Sequence, residues 1–137
     1  MKKVSEHLSY AETACHCNHG CLFGLAPGGA HPSMVALFET VRAALSLERG
    51  HDCPIEIISW CRCKEHNAEV GGAPHSYHLK GMAVDTLPPD GMTTDEWYDW
   101  LDRFVGKAGG VISYIDKNIV HFDCRGTDYR KDGHRGR

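Results

Sequence analysis

No stretch of this 137-residue chain is apolar for the roughly 20 consecutive residues that a membrane-spanning helix needs. No apolar run follows Met1-Lys2-Lys3 either, so no secretory signal peptide is expected. An excess of positive charge is also missing. Fifteen Lys and Arg stand against 18 Asp and Glu, a net charge of −3, and such a chain has no basic field with which to hold duplex nucleic acid. No internal repeat is visible. Apolar content is not lacking: 42% hydrophobic residues at this length suffice for one folded domain with its own core.

Cysteine is plentiful for a chain without an export signal. Cys15, Cys17, Cys21, Cys53, Cys61, Cys63 and Cys124 make an odd count of seven. The missing signal argues for reduced thiols, and action at an oxidising cell surface would argue for disulfides. Cys15-His16-Cys17-Asn18-His19-Gly20-Cys21 reads as a compact loop. It could form a second, structural zinc site with Cys61 or Cys63. Its spacing matches no standard Cys-x-x-Cys pair, so stapling disulfides or packed free thiols are the favoured reading.

The pattern along the chain is that of an α+β domain. Residues 9–14 suit a single helical turn, and residues 24–32 are a Gly/Pro-rich loop. Ser33 is expected to cap a helix over residues 33–47, with Met34, Leu37, Phe38, Val41, Ala44 and Leu45 forming its apolar stripe. Residues 54–59 read as a buried strand, and Gly71-Gly72 ends a short helix after it. Thr93-Thr94-Asp95-Glu96 is a capping box opening a second amphipathic helix that carries Trp97, Trp100, Leu101, Phe104 and Val105. Residues 111–114 and 119–123 read as a final hairpin. The expected fold is one domain over residues 1–137: a small, mainly antiparallel sheet with helices packed on one face. The ends, 1–9 and 126–137, are expected to fray.

The chemistry gathers in Ser76-Tyr77-His78-Leu79-Lys80-Gly81-Met82-Ala83-Val84-Asp85. His78 and Asp85 lie seven residues apart on either side of Gly81. An imidazole nitrogen and a carboxylate oxygen are both good zinc ligands, and the glycine suits a tight turn that lets both face one ion. The third ligand is expected from the last strand, where His121 stands in Ile119-Val120-His121-Phe122-Asp123. Three protein ligands with an open fourth position is the layout of a catalytic zinc. Strand alternation puts Asp123 on the same face as His121, which makes it the first candidate for general base. Asp116, in the turn, is the second.

These residues resemble those of the zinc D-alanyl-D-alanine carboxypeptidase family, which includes phage endolysins, vancomycin-resistance dipeptidases and hedgehog-type zinc sites. The likeness rests on Ser76-x-His78-x-x-Gly81-x-Ala83-x-Asp85 followed by the late apolar-His121-x-Asp123. His7-Leu8-Ser9 before the cysteine loop, Ile57-x-Ser59-x-x-Arg62-Cys63-x-x-His66-Asn67, and Val70-Gly71-Gly72-Ala73 extend it over residues 6–125. The resemblance implies a single-domain zinc peptidase of bacterial cell-wall peptides, monomeric and synthesised in the cytoplasm. It would act at the periplasm or wall, reached in a phage setting through a lysis pore.

It also implies that Arg62 clamps a substrate carboxylate; from the residues alone it is a surface arginine paired with Glu65 or Glu69. Ser76 would bond the substrate backbone. Many relatives carry an acid three residues before the last histidine, where this chain has Asn118, which cannot act as a base. A binding module that holds wall peptide without cutting it, or a phage structural protein, are therefore the rival readings.

Overall fold

The computed structural model describes residues 2–136. Its five-stranded sheet forms because short runs of β-branched and aromatic residues alternate with polar ones. The strands are β3 (Ile57–Ser59), β4 (Ala83–Thr86), β5 (Gly110–Tyr114), β6 (Ile119–Asp123) and β7 (Tyr129–Asp132), in the spatial order β3-β4-β6-β5-β7. All neighbours are antiparallel except β5 and β7. A two-stranded ribbon, β1 (Lys3–Ser5) and β2 (Leu8–Ser9), precedes a one-turn helix α1 (Tyr10–Thr13), whose start is a capping box between Ser9 and Glu12.

Two helices cover one face of the sheet. Helix α2 (Pro32–Arg49) turns Met34, Phe38, Val41 and Leu45 inward, all at most 1% exposed. Helix α4 (Thr94–Val105) adds Trp97 and Leu101, and the sheet answers with Val84, Val111, Val120 and Phe122. Burying each such side chain is worth about 1.5–3 kcal/mol, so this face carries most of the stabilisation. The capping box expected at Thr93 and Glu96 is present. The start of α2 differs from expectation. His31 is the cap, accepting from the Ser33 N–H through Nδ1, because Pro32 takes the first helical position, where its missing N–H costs nothing.

Period-two alternation decides what the other face carries. Val84 pairs with Phe122 toward the helices, so the next pair, Asp85 and His121, must point away from them. Helix α3 (Lys64–Glu69) follows β3 on the way to this second face.

The C-terminal stretch expected to fray instead holds β7. Its charges are consumed locally. Asp132, 1% exposed, accepts from the Ser113 hydroxyl at 3.1 Å and from Arg135 Nε at 2.5 Å, and Arg135 also reaches Asp99. The Arg130 guanidinium donates to the Gly109 carbonyl and to Asp102. Burial opposes ionisation of Asp132, but Arg135 and Ser113 outweigh it and hold its pKa below the ordinary value. A depressed folded pKa gives stability that is full above the unfolded value, ~3.9, and is lost as pH falls below it. Asp132→Ala should cost about 1–3 kcal/mol at neutral pH and flatten the acid limb of the stability curve. Denaturant melts of both proteins across pH 2–7 check this; an unchanged acid limb would remove β7's anchor from the account.

Candidate metal centre

His78 sits on a single 3-10 turn, Tyr77–Lys80, between β3 and β4. The Ser76 hydroxyl caps this turn by accepting the His78 N–H at 3.2 Å. Gly81 ends it in the left-handed region, φ 67°, and a Cβ there would lie 2.0 Å from the Gly29 carbonyl oxygen, so no other residue fits. The Gly81 carbonyl in turn accepts the Trp60 indole N–H at 2.8 Å. The turn that carries the first candidate ligand is thereby tied to the core.

His78, Asp85 and His121 meet as expected. Their donor atoms lie within 4.8 Å of one another, and all three residues are buried. His78 Nε2 and His121 Nδ1 each stand 3.1 Å from Asp85 Oδ1. The far nitrogen of each ring is already engaged. His78 Nδ1 is 2.7 Å from the Trp60 carbonyl, and His121 Nε2 is 2.7 Å from Asp123 Oδ2. With N–H groups donating to those oxygens, both inward nitrogens present lone pairs to a carboxylate oxygen that also has only lone pairs to offer. Three acceptors converging on one point are relieved by a positive charge between them, either a proton on an imidazole or a metal ion. The donor set of two imidazoles and one carboxylate is that of a catalytic zinc site.

The partners behind the donors set their charge. Burial disfavours a charged His78 and lowers its pKa, which suits a neutral ligand. Burial alone would raise Asp85, but His78 and His121 outweigh it and hold it far below the usual carboxylate range. Burial would lower His121, but its bonds to Asp123 and Asp85 raise it instead.

The remaining candidates separate. Arg62 does not pair with Glu65 or Glu69. Its Nη2 donates to Asp85 Oδ2 at 2.9 Å, Nη1 to Asn67 Oδ1 at 2.9 Å and Nε to Ser59 at 3.2 Å, so it holds the acidic ligand from behind. Asp123 is fully buried. It accepts from the Gly110 N–H at 2.9 Å and from Arg125 Nη2 at 2.7 Å as well as meeting His121. Burial would raise its pKa; His121 and Arg125 pull it far down. Asp116 is exposed in the β5–β6 turn. Asn118, left-handed at φ 55°, bonds the Thr94 hydroxyl on α4 rather than the site.

Asp85 and Arg62 open onto a cleft of about 640 Å³. Its walls carry His16, His66, Lys117, Lys131, Tyr114 and Tyr129, and Asp85 is the single carboxylate among the lining residues. Neither Asp116 nor Asp123 lines it. Asn67, Arg125, Tyr129 and Lys131 were not singled out from the sequence. Arg125 had a signal, since it continues the alternation of His121 and Asp123; Tyr129 and Lys131 lay in the presumed tail.

Two buried histidines converging with an aspartate that lines a cleft, on the open face of a mainly antiparallel sheet, make the kind of donor set that metallohydrolases use. The family model for Peptidase M15 matches residues 6–123, and the chain belongs to that family of zinc-dependent metallopeptidases. No curated protein gives a significant match to the chain.

His121→Ala should abolish zinc binding at this centre; competition against a chelator reads this directly, and unchanged affinity would remove His121 from the donor set. Asp123→Asn should weaken zinc by about 10- to 100-fold, the usual cost of losing a carboxylate behind a ligating histidine. If zinc affinity holds and only turnover falls, Asp123 acts on the substrate rather than on His121.

Proposed function

We propose that the chain is a zinc peptidase that hydrolyses peptide bonds in bacterial cell-wall peptides, acting at the periplasm or wall. The observation that carries this reading is the convergence of His78, Asp85 and His121, with Asp85 at the wall of a cleft whose other charged lining residues are cationic. Zinc held by those three would acidify a water and polarise the scissile carbonyl.

The chain's own residues supply binding and order. Lys117 and Lys131 favour a substrate rich in carboxylates, as wall peptides ending in D-alanine are. Arg62 has five N–H groups, and the three bonds to Asp85, Asn67 and Ser59 leave one hydrogen on each Nη for a substrate carboxylate. The Ser76 hydroxyl accepts from His78 and keeps its own proton to donate to a substrate backbone. Asp123 is a positioning residue that keeps the His121 proton on Nε2. Asp116 would have to swing in from its turn to serve as base.

A second reading has one observation in its favour. Among the described residues the cleft offers no carboxylate besides Asp85, which is committed to Arg62 and the histidines. A module that grips wall peptides without cutting them would look like this.

Purified peptidoglycan and short peptides ending in D-alanyl-D-alanine separate the two. Release of D-alanine or wall peptides that stops with chelator and returns with zinc supports the peptidase. Chelator-sensitive binding without release supports the module, and neither binding nor release sinks both. Replacing Lys117 and Lys131 together by Ala should raise KM several-fold at low salt with kcat little changed, and the difference should shrink as salt is added. An unchanged KM would discard the charge argument.

A further inference from the structure

The cysteine loop folds onto the end of β3. Cys15, Cys17 and Cys21 are met there by Cys63, the capping residue of α3, and one sulfur from each lies within 4.8 Å of the others. All seven cysteines are free thiols, and the Cys17 and Cys21 sulfurs are 3.3 Å apart, unbonded. The buried Cys61 is not part of the group. Four sulfurs around one zinc at about 2.3 Å would stand about 3.8 Å apart, close to the convergence seen.

The backbone around them is arranged for thiolates. The Cys63 N–H points at the Cys15 sulfur at 3.3 Å, and the His66 N–H at the Cys63 sulfur at 3.4 Å. The N–H donors on the Cys15 and Cys63 sulfurs stabilise negative charge, which metal ligation requires and a packed thiol does not. The loop is closed beneath the sulfurs by the Cys15 N–H donating to the Phe23 carbonyl at 2.8 Å.

We propose that Cys15, Cys17, Cys21 and Cys63 bind a structural zinc ion, separate from the His78-Asp85-His121 centre. Four thiolates in tetrahedral arrangement select zinc among the common hard and soft cations. The site does not rest on the peptidase reading, but it serves the same cleft. Cys63 directly follows Arg62, and His16, between two of the ligands, lines the cleft wall. The ion would lock the N-terminal loop against the strand end that supports Asp85.

The test is metal content and cobalt spectra of protein purified under reductant and without air. Wild type should carry about two zinc ions per chain, and His78→Ala and the pair Cys17→Ser with Cys63→Ser about one each. After replacement by Co²⁺, wild type and His78→Ala should show the intense near-ultraviolet thiolate-to-cobalt band, which a His/Asp centre cannot produce. The cysteine pair should lack it, and Cys124→Ser should keep it. Absence of the band in reduced wild type, or its survival in the cysteine pair, would overturn the proposal. Isolation of a Cys17–Cys21 disulfide from protein kept reduced would do the same. The wild-type spectrum decides by itself if the cysteine variants fail to fold. Loss of the band with one zinc retained leaves the His78-Asp85-His121 centre untouched, so the two assignments fail separately.

Discussion

The pairing of Asp85 with His121 across two central strands is the constraint on which the site depends. The same ladder sets Val84 opposite Phe122 one step away, on the helix-covered face. A slip of one residue would drive His121 and Asp85 into the tryptophan-rich core and expose Phe122. The hydrophobic effect that packs α2 and α4 against the sheet therefore also sets the alignment of the candidate ligands. Core and centre are two faces of one register, and neither can be moved without the other.

The groups behind the ligands show why the arrangement is rigid. Each ligand is restrained at the atom that faces away from the point of convergence: His78 by a backbone carbonyl, His121 by Asp123, Asp85 by Arg62. Two of these restraints are themselves braced, Asp123 by Arg125 and Arg62 by Asn67. Such chains of bonds fix ring orientation and tautomer before any ion arrives, so little ordering is left to oppose binding. They also explain how a chain with Asn118 in the usual acid position keeps its centre. Asn118 bonds Thr94 on α4, and the acids near the histidines, Asp85 and Asp123, are held by Arg62 and Arg125.

Much of this was legible in the residues. The three candidate ligands, the αβ layering and both long helices follow from spacing and period, because each is a local pattern or a motif with tight stereochemical demands. The Gly81 turn was readable for the same reason. What was not legible depends on pairings between distant segments. Arg62 looked like a surface arginine because its true partners, Asp85 and Asn67, are set by sheet order and by the path of α3. The cysteine loop had Cys61 or Cys63 as its candidate fourth partner, but no spacing rule across α2 chose between them, and the structure brings Cys63. Strand β7 was hidden by its charge. Lys131 and Arg130 read as a solvated tail until Asp102, Asp99 and the Gly109 carbonyl were seen to take up the neighbouring charges.

That last strand lies beyond residue 123, where the match to Peptidase M15 stops, yet it brings Tyr129 and Lys131 to the cleft. It pairs with β5 on one side and, among the described residues, has no further strand beyond it. Two of the candidate donors, Asp85 and His121, hang on interior strands and the third, His78, on the turn before β4, whereas this part of the wall hangs on the sheet's rim. Diversification can then work on the rim alone. Exchanging a few edge residues would reshape the cleft wall, while the register that aligns Asp85 with His121 is inherited unchanged.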